Sequence, residues 1–449
     1  MSAPRSTEGP ARPDRRIGSS PRSTPGPSSD RRPRAFRPTP GRAAHLIDRR
    51  LLSWLQHYVG DAPVALQLGA DCDSGPRPGH PPIATIRIRD RRTLLELLRR
   101  ADLAFGEAYM SGRLDVQGDL VGALEALYRV QAEDADWSRA LRGLRAWTER
   151  VRSRVARQHG RRAARHNIHH HYDLGNDFYR LWLDRELVYT CGYFPSPGTS
   201  LEEAQRAKME YVCRKLGLRP DDRVVEAGCG WGALALYMAR QYGVTVRAFN
   251  ISREQIRYAR ERAVAEGLSN RVEFIEDDYR SITGSFDVFV SVGMLEHVGL
   301  ECYDALGRLI GRVLRPDGRG LLHFIGRNQP RPLNPWIAKR IFPGGYAPTL
   351  GEVTSRVLEP SNLSVLDVEN LRLHYAETLR HWRTRFDIAS EQVARTFEPS
   401  FARAWRLYLA GSEAAFRAGS LQLFQVVFAP GASNRVVLTR GPLYAVPLV

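Results

Sequence analysis

Three glycines spaced GxGxG, Gly228, Gly230 and Gly232, stand between the apolar pair Val224 and Val225 and the run ALALYMA. Without a Cβ, glycine lets the backbone turn sharply and come close to a ligand. The stretch VVEAGCGWGALALYMA therefore reads as a buried strand, a glycine turn and a helix, with Glu226 two residues ahead of the first glycine. The dinucleotide fingerprint spaces its glycines GxGxxG. The tighter spacing here has the shape of an S-adenosylmethionine loop, and an ordinary strand-to-helix turn is the plain alternative. Two further strand ends follow in the right order. Asn250 ends VTVRAFN, where an acid more commonly holds ribose hydroxyls, so Asn250 and Gln255 would make those hydrogen bonds. Asp277, Asp278 and Tyr279 end the next strand and suit an adenine amine and a stacking face.

Upstream, His169, His170 and His171 are consecutive, and neighbouring side chains point in different directions, so they are poorly placed to share a metal ion. Cys191 lies between Tyr189 and Tyr193. A nucleophile needs a base and an orienting acid, and no such set can be assembled from spacing, so the thiol reads as small and buried.

These residues have to be positioned by the elements around them. From Pro220 onward, strand-like and helix-like stretches alternate: VVEAG, the helix from Trp231, VTVRAFNI, the helix from Arg253, VEFIED, FDVFVSVG, the helix from Tyr303 and GRGLLHFIG. This order predicts a parallel sheet with helices on both faces and a ligand beyond the carboxyl ends of the strands. Residues 43–130 mix helical and alternating patterns (LIDRRLLSWLQHYV, ATIRIRD, RTLLELLRRADLAFGEAYMSG) and predict a small α/β domain whose apolar stripes form a core. Residues 131–165 read as an arginine-rich helical linker, and residues 1–42, rich in Pro, Ser, Gly and Arg, as a disordered basic arm.

The 449 residues carry a net charge of +17, and the first fifty hold twelve arginines against four acids. Such a balance favours polyanionic partners, either nucleic acid or an anionic membrane surface. No aromatic-interleaved basic motif supports nucleic acid. Five scattered cysteines without a CxxC pair argue against a zinc site or a disulfide framework and fit a cytoplasmic setting. No apolar run reaches the ~20 residues of a membrane-spanning helix.

The blocks HHHYDLGNDFYRLWLD, YTCGYF, VVEAGCGWGALALYMA, ISREQIRYA, DDYR, SVGMLEHVG, LHFIG and LQLFQVVF, in order from His166 to Pro430, resemble the cyclopropane-fatty-acyl-phospholipid synthase family. LAFGEAYMSGRLDV resembles the extra N-terminal domain of its longer bacterial members; the basic arm has no counterpart. The resemblance implies a doubly wound, seven-stranded, mostly parallel sheet of the Rossmann-like class I methyltransferase type. It also implies transfer of a methyl group from S-adenosylmethionine to the cis double bond of a phospholipid acyl chain. A carbocation would form and lose a proton to a bound bicarbonate as the ring closes.

Carried over block by block, the bicarbonate cage would be Cys191 and Ile325 through their backbones with Glu296, His323 and Tyr375. The cofactor would lie against Tyr172, Gly228, Gly230, Asn250, Ile251, Gln255, Asp278 and Tyr279, Asn250 standing where the family commonly has Thr. No metal is implied. Residues 327–350 would form a lid with an exposed apolar tip, Trp336, Ile337, Ile341 and Phe342 beside Lys339 and Arg340, suited to anchoring in a membrane interface. The enzyme would sit peripherally at the inner face of the cell membrane, and a homodimer stays open. Methyl- or methylene-branched products, a non-lipid methyltransferase and a non-enzymatic lipid carrier are the competing functions. The glycine loop and the complete cage count against the last.

Overall fold

The computed structural model describes residues 46–70, 72–73, 81–133, 174–435 and 437–444. The basic arm, the linker beyond Glu133, the three histidines and Tyr172 lie outside the described residues.

The first region runs α1 (Leu46–Val59), β1 (Val64–Leu68), β2 (Cys72–Asp73), β3 (Ala84–Ile88), α2 (Arg91–Met110), β4 (Leu114–Gly118) and α3 (Leu120–Glu133). Its four strands are ordered β2-β1-β3-β4, with β1 and β3 parallel. β1 and β3 alternate buried and half-buried residues, the period of a strand covered on one face. Asp90 caps α2 by accepting the Thr93 amide at 2.8 Å.

The second region opens with α4 (Asn176–Arg180) and α5 (Leu201–Leu216). The alternation then follows as β5 (Arg223–Ala227), α6 (Ala233–Tyr242), β6 (Thr245–Asn250), α7 (Arg253–Ala265), β7 (Val272–Glu276), β8 (Phe286–Val292), α8 (Leu295–Val298), α9 (Tyr303–Val313) and β9 (Leu314–Gly326). After it come α10 (Pro335–Arg340), α11 (Leu350–Val353), β10 (Leu363–Asn370), α12 (Arg372–Thr396), α13 (Pro399–Arg417), β11 (Gln422–Pro430) and α14 (Gly441–Tyr444).

The seven strands are ordered β10-β11-β9-β8-β5-β6-β7. Neighbours from β9 through β7 pair in parallel, while β11 runs antiparallel to β9 and β10 antiparallel to β11. Successive residues of each strand enter opposite cores: Val224 and Leu321 join one apolar cluster, Val225 and Leu322 the other. β5 ends where the glycine turn begins, next to the central strand β8, which separates it from β9.

A third cluster departs from the expected separate N-terminal core. Leu94, Tyr109 and Leu124 belong to the same buried group as Trp182, Trp336, Trp382 and Trp405. Arg403 of α13 fastens the two regions, donating to the carbonyls of Tyr109 at 2.6 Å and Leu114 at 3.0 Å. Its guanidinium also lies 4.3 Å over the Tyr109 ring.

Candidate active site

The glycine turn divides its labour. Gly228, Gly230 and Gly232 all have positive φ, at +85°, +54° and +84°. A Cβ on Gly228 would meet Met294 Cβ at 2.8 Å and one on Gly232 would meet the Phe274 ring at 2.5 Å, whereas one on Gly230 would meet nothing within 4 Å. The outer glycines thus permit close packing, and Gly230 leaves an open cradle at the end of β5. Asn250 reaches it across the turn: its Nδ2 donates to the Gly230 carbonyl at 3.3 Å and to Gln255 Oε1 at 2.7 Å, while its Oδ1 accepts the Ile251 amide at 2.9 Å. The structure therefore brings Gly230, Asn250, Ile251 and Gln255 together.

At the end of β7 the Asp278 carboxylate accepts the Arg280 amide and guanidinium, both at 2.9 Å. That guanidinium lies 4.9 Å over the Tyr279 ring, and burial pushes the Tyr279 phenol up to about 12. An open backbone cradle flanked by amide side chains, a carboxylate and an aromatic ring has the chemistry of a nucleoside site joined to a polar tail. S-adenosylmethionine fits it.

The block that contains YDLGNDFY touches this turn directly. The Trp231 indole donates to Asn176 Oδ1 at 2.8 Å and its ring lies 4.9 Å from Tyr179.

The expected cage residues sit on α8 (Glu296), β9 (His323 and Ile325), α12 (Tyr375) and the loop between α4 and α5 (Cys191). Glu296 on α8 accepts the Ile325 amide at 2.6 Å through Oε1, leaving Oε2 buried without a partner. The Ile325 N–H thus enters the site by holding the carboxylate. His323 lies two residues earlier, on the same face of β9. It is buried, its Nδ1 is 3.1 Å from Gln425 Nε2, and its Nε2 has no partner. Cys191 is buried, and its thiol donates to the Gly192 carbonyl at 3.1 Å. Among the described residues nothing accepts its amide N–H. The adjacent Gly192 amide donates to Thr378 Oγ1 at 2.9 Å on α12, one turn beyond Tyr375. The Tyr375 ring packs 4.6 Å from Phe416 and 5.9 Å from Trp382.

Burial sets the charge states. It pushes the Glu296 carboxyl up to about 7, and it raises the Cys191 thiol, so no thiolate nucleophile forms there. Burial, reinforced by the charges of Lys208 and Lys215, holds His323 well below the usual imidazole range and therefore neutral. Lys208 is itself buried, donates to Thr190 Oγ1 at 3.0 Å and is lowered to about 8 by desolvation. Glu226, behind the glycine turn, is buried with Oε2 unpartnered and is raised to about 8. Among the described residues no cluster of three or more His, Cys, Asp or Glu could hold a metal ion.

The sequence profile described as mycolic acid cyclopropane synthetase matches residues 159–426, and one described as a domain of unknown function matches residues 74–135. A probable fatty acid methyltransferase of Pseudomonas putida is 35% identical over 382 residues, covering 81% of this chain and 91% of its own. The cyclopropane-fatty-acyl-phospholipid synthase of Escherichia coli K12 is 37% identical over 366 residues, 80% of this chain and 91% of its own. The chain belongs to the mycolic acid cyclopropane synthetase family. Among solved structures, mycolic acid cyclopropane synthase CmaA1 complexed with SAH and CTAB superposes with a TM-score of 0.56 at 31% identity. That match covers 59% of this chain and 97% of CmaA1. The protein is an S-adenosylmethionine-dependent methyltransferase acting in lipid cyclopropanation or methylation.

The segment expected to be a lid with an exposed apolar tip is arranged differently. Trp336 and Ile341 are buried. The indole sits against Gly106 of α2, where a Cβ would meet it at 2.3 Å. Arg340 holds Glu107 with two bonds of 2.9 and 2.7 Å, and Lys339 reaches it at 3.0 Å. Trp336, Lys339 and Arg340 are thus satisfied by the N-terminal region, while Phe342 packs edge-on against His297 and Tyr408, ring centroids 5.8 and 5.6 Å away. The segment's far end meets the site, since the Tyr346 amide donates to the Glu296 carbonyl at 2.9 Å.

Sequence reasoning missed Lys208, Lys215, Thr378 and Gln425. Two signals were available. Only three lysines stand among 66 basic residues, so a lysine at 208 or 215 marks a place where arginine does not serve. Gln425 interrupts the apolar run LFQVVF, and an amide inside a fully buried strand requires partners.

Proposed function

We propose that the enzyme methylates the cis double bond of phospholipid acyl chains and closes a cyclopropane ring, its site holding a bicarbonate ion. The observation that carries this reading is a pair of buried atoms of opposite character, Glu296 Oε2 and His323 Nε2, without partners among the described residues, linked by the Ile325 amide two residues after His323 that holds the Glu296 carboxylate; the Cys191 amide likewise has no acceptor among those residues. A buried polar atom left without a partner costs about 1–3 kcal/mol, and a small oxyanion bearing one hydroxyl satisfies both kinds. Bicarbonate matches that donor and acceptor set. Glu296 Oε2 would accept its hydroxyl, His323 Nε2 and the Cys191 amide would donate to its oxygens, and the Tyr375 phenol would close the cage. When bound, S-adenosylmethionine supplies an electrophilic methyl group and bicarbonate a proton-accepting oxygen.

The surroundings suit an apolar substrate that becomes positively charged. Tyr189 lies 5.2 Å from Trp182 and 5.3 Å from Trp382, ring to ring, and its hydroxyl is 2.7 Å from that of Tyr408. This aromatic wall excludes water and offers π faces to a cation. Among the described residues no helix is long and apolar enough to cross a membrane. Access to phospholipid would be peripheral, at an anionic inner membrane face, and the arginine-rich arm of the sequence supports that reading.

Mass spectrometry of lipid from cells expressing the chain tests the proposal. Acyl chains should gain one CH₂ and contain a ring; a product confined to RNA, DNA or a soluble metabolite would refute it. A methyl-branched acyl product is the second reading, favoured by the 35% identity to a probable fatty acid methyltransferase.

A further inference from the structure

The pairing register places three polar residues in one row across the sheet. His323 on β9 is directly opposite Gln425 on β11, and Gln425 is directly opposite Glu369 on β10. Lys215 comes down from α5 onto this row. Its Nζ donates to Glu369 Oε2 at 2.5 Å and to Gln425 Oε1 at 2.7 Å, and it lies 4.6 Å over the Tyr211 ring. An ammonium has only donors, so the group that faces it must be the amide oxygen. Gln425 Nε2 is therefore the atom turned toward His323, at 3.1 Å from Nδ1. An NH₂ group donates, so Nδ1 must accept and the ring proton must sit on Nε2. This is the same nitrogen that is buried without a partner.

We infer that Lys215, Glu369 and Gln425 are positioning residues that fix His323 as the neutral Nε2–H tautomer, a donor aimed into the site. The consequence for the reaction rests on the oxyanion reading above. A neutral imidazole can hold an oxyanion by donating to it without passing on a second proton. An imidazolium would protonate the anion and remove the base. Neutral histidine electrophiles held by their surroundings are known in other enzymes. The row also accounts for the identity of residue 215: a compact ammonium satisfies Glu369 and Gln425 from one atom, which a planar guanidinium fork does not.

The test uses the full chain labelled with ¹⁵N-histidine. Long-range ¹H–¹⁵N correlation should show one residue with a pyrrole-type Nε2 and a pyridine-type Nδ1, lost in a His323→Gln variant. Gln425→Glu keeps the shape but leaves only acceptors between Lys215 and the ring. It should move the proton to Nδ1, or add one there, and lower the turnover rate at least tenfold while S-adenosylmethionine affinity is unchanged. A paired variant, Lys215→Met with Glu369→Leu, removes both charges together and avoids an unpaired buried ion. It should leave a mixture of the two tautomers. A native spectrum with the proton on Nδ1, or an unchanged spectrum in Gln425→Glu, overturns the inference. If the tautomer shifts as expected and the rate remains normal with and without bicarbonate, the positioning row stands and the oxyanion reading falls.

Discussion

The Ile325 amide donates to Glu296 Oε1 at 2.6 Å, and this one bond decides which oxygen of the carboxylate faces the site. With Oε1 committed to β9, Oε2 is the oxygen left to act. Glu296→Gln keeps the shape and can keep the Ile325 bond, but presents a donor or a weaker acceptor where Oε2 stood. Turnover should fall by about 10²–10⁴ with S-adenosylmethionine binding intact, and added bicarbonate should recover part of it. Initial rates at matched cofactor saturation in degassed buffer check this.

The same carboxyl predicts a pH signature in stability. Burial holds it at about 7 in the folded chain, against about 4.3 for an exposed glutamate. Between those values the folded chain keeps a proton that the unfolded chain has released. Stability therefore falls as pH rises through that window, and the loss is complete above it. Glu296→Gln removes the titration, so its melting temperature should gain on the wild type between pH 5 and pH 8, by an amount equivalent to about 1–3 kcal/mol. Parallel difference curves that do not change with pH would contradict the assignment.

Cys191→Ser should retain substantial activity, since the proposed cage takes only the backbone of this residue and the thiol is held protonated. In the folded protein iodoacetamide should react first at Cys302, the cysteine with partial exposure, and reach Cys191 only on unfolding. Peptide mapping after a short alkylation pulse distinguishes the two.

Gly230→Ala should abolish or strongly weaken cofactor binding while the chain stays folded. Its Cβ would enter the open cradle without touching protein, and the left-handed backbone, φ +54°, adds a penalty of about 1–2 kcal/mol. Calorimetric titration beside a melting curve separates the two effects: a binding loss of tenfold or more with a melting shift of only a few degrees is expected.

The alternation from β5 to β9 was legible because strand and helix periods differ plainly there, and the glycine turn gave away where the sheet opens. The edge of the sheet was not. β10 exposes several of its residues, so it lacks the apolar run that marks β5 or β8. The row His323, Gln425, Glu369 depends on pairing strands that lie far apart in the chain, which no local pattern encodes. Trp336, Lys339 and Arg340 misled for a related reason. An apolar face with basic neighbours reads alike whether it meets a lipid surface or a protein acid, and that acid, Glu107, is 233 residues away from Arg340.

Gly106→Val tests that contact, because the added side chain would overlap the Trp336 indole. Trypsin should then cut within residues 327–340 at least several times faster than in the wild type, as the segment loses its seat on α2. Equal cleavage rates would mean that the seat does not hold it.

The core shared by the two regions also governs how the chain can be handled. The family profile spans residues 159–426, and cutting the chain back to that span would strip α2 and α3 from Trp336, Trp405 and their neighbours. The fragment would carry an adhesive aromatic surface into water, so it would precipitate rather than serve as a minimal catalyst unless those residues were rewritten as polar ones.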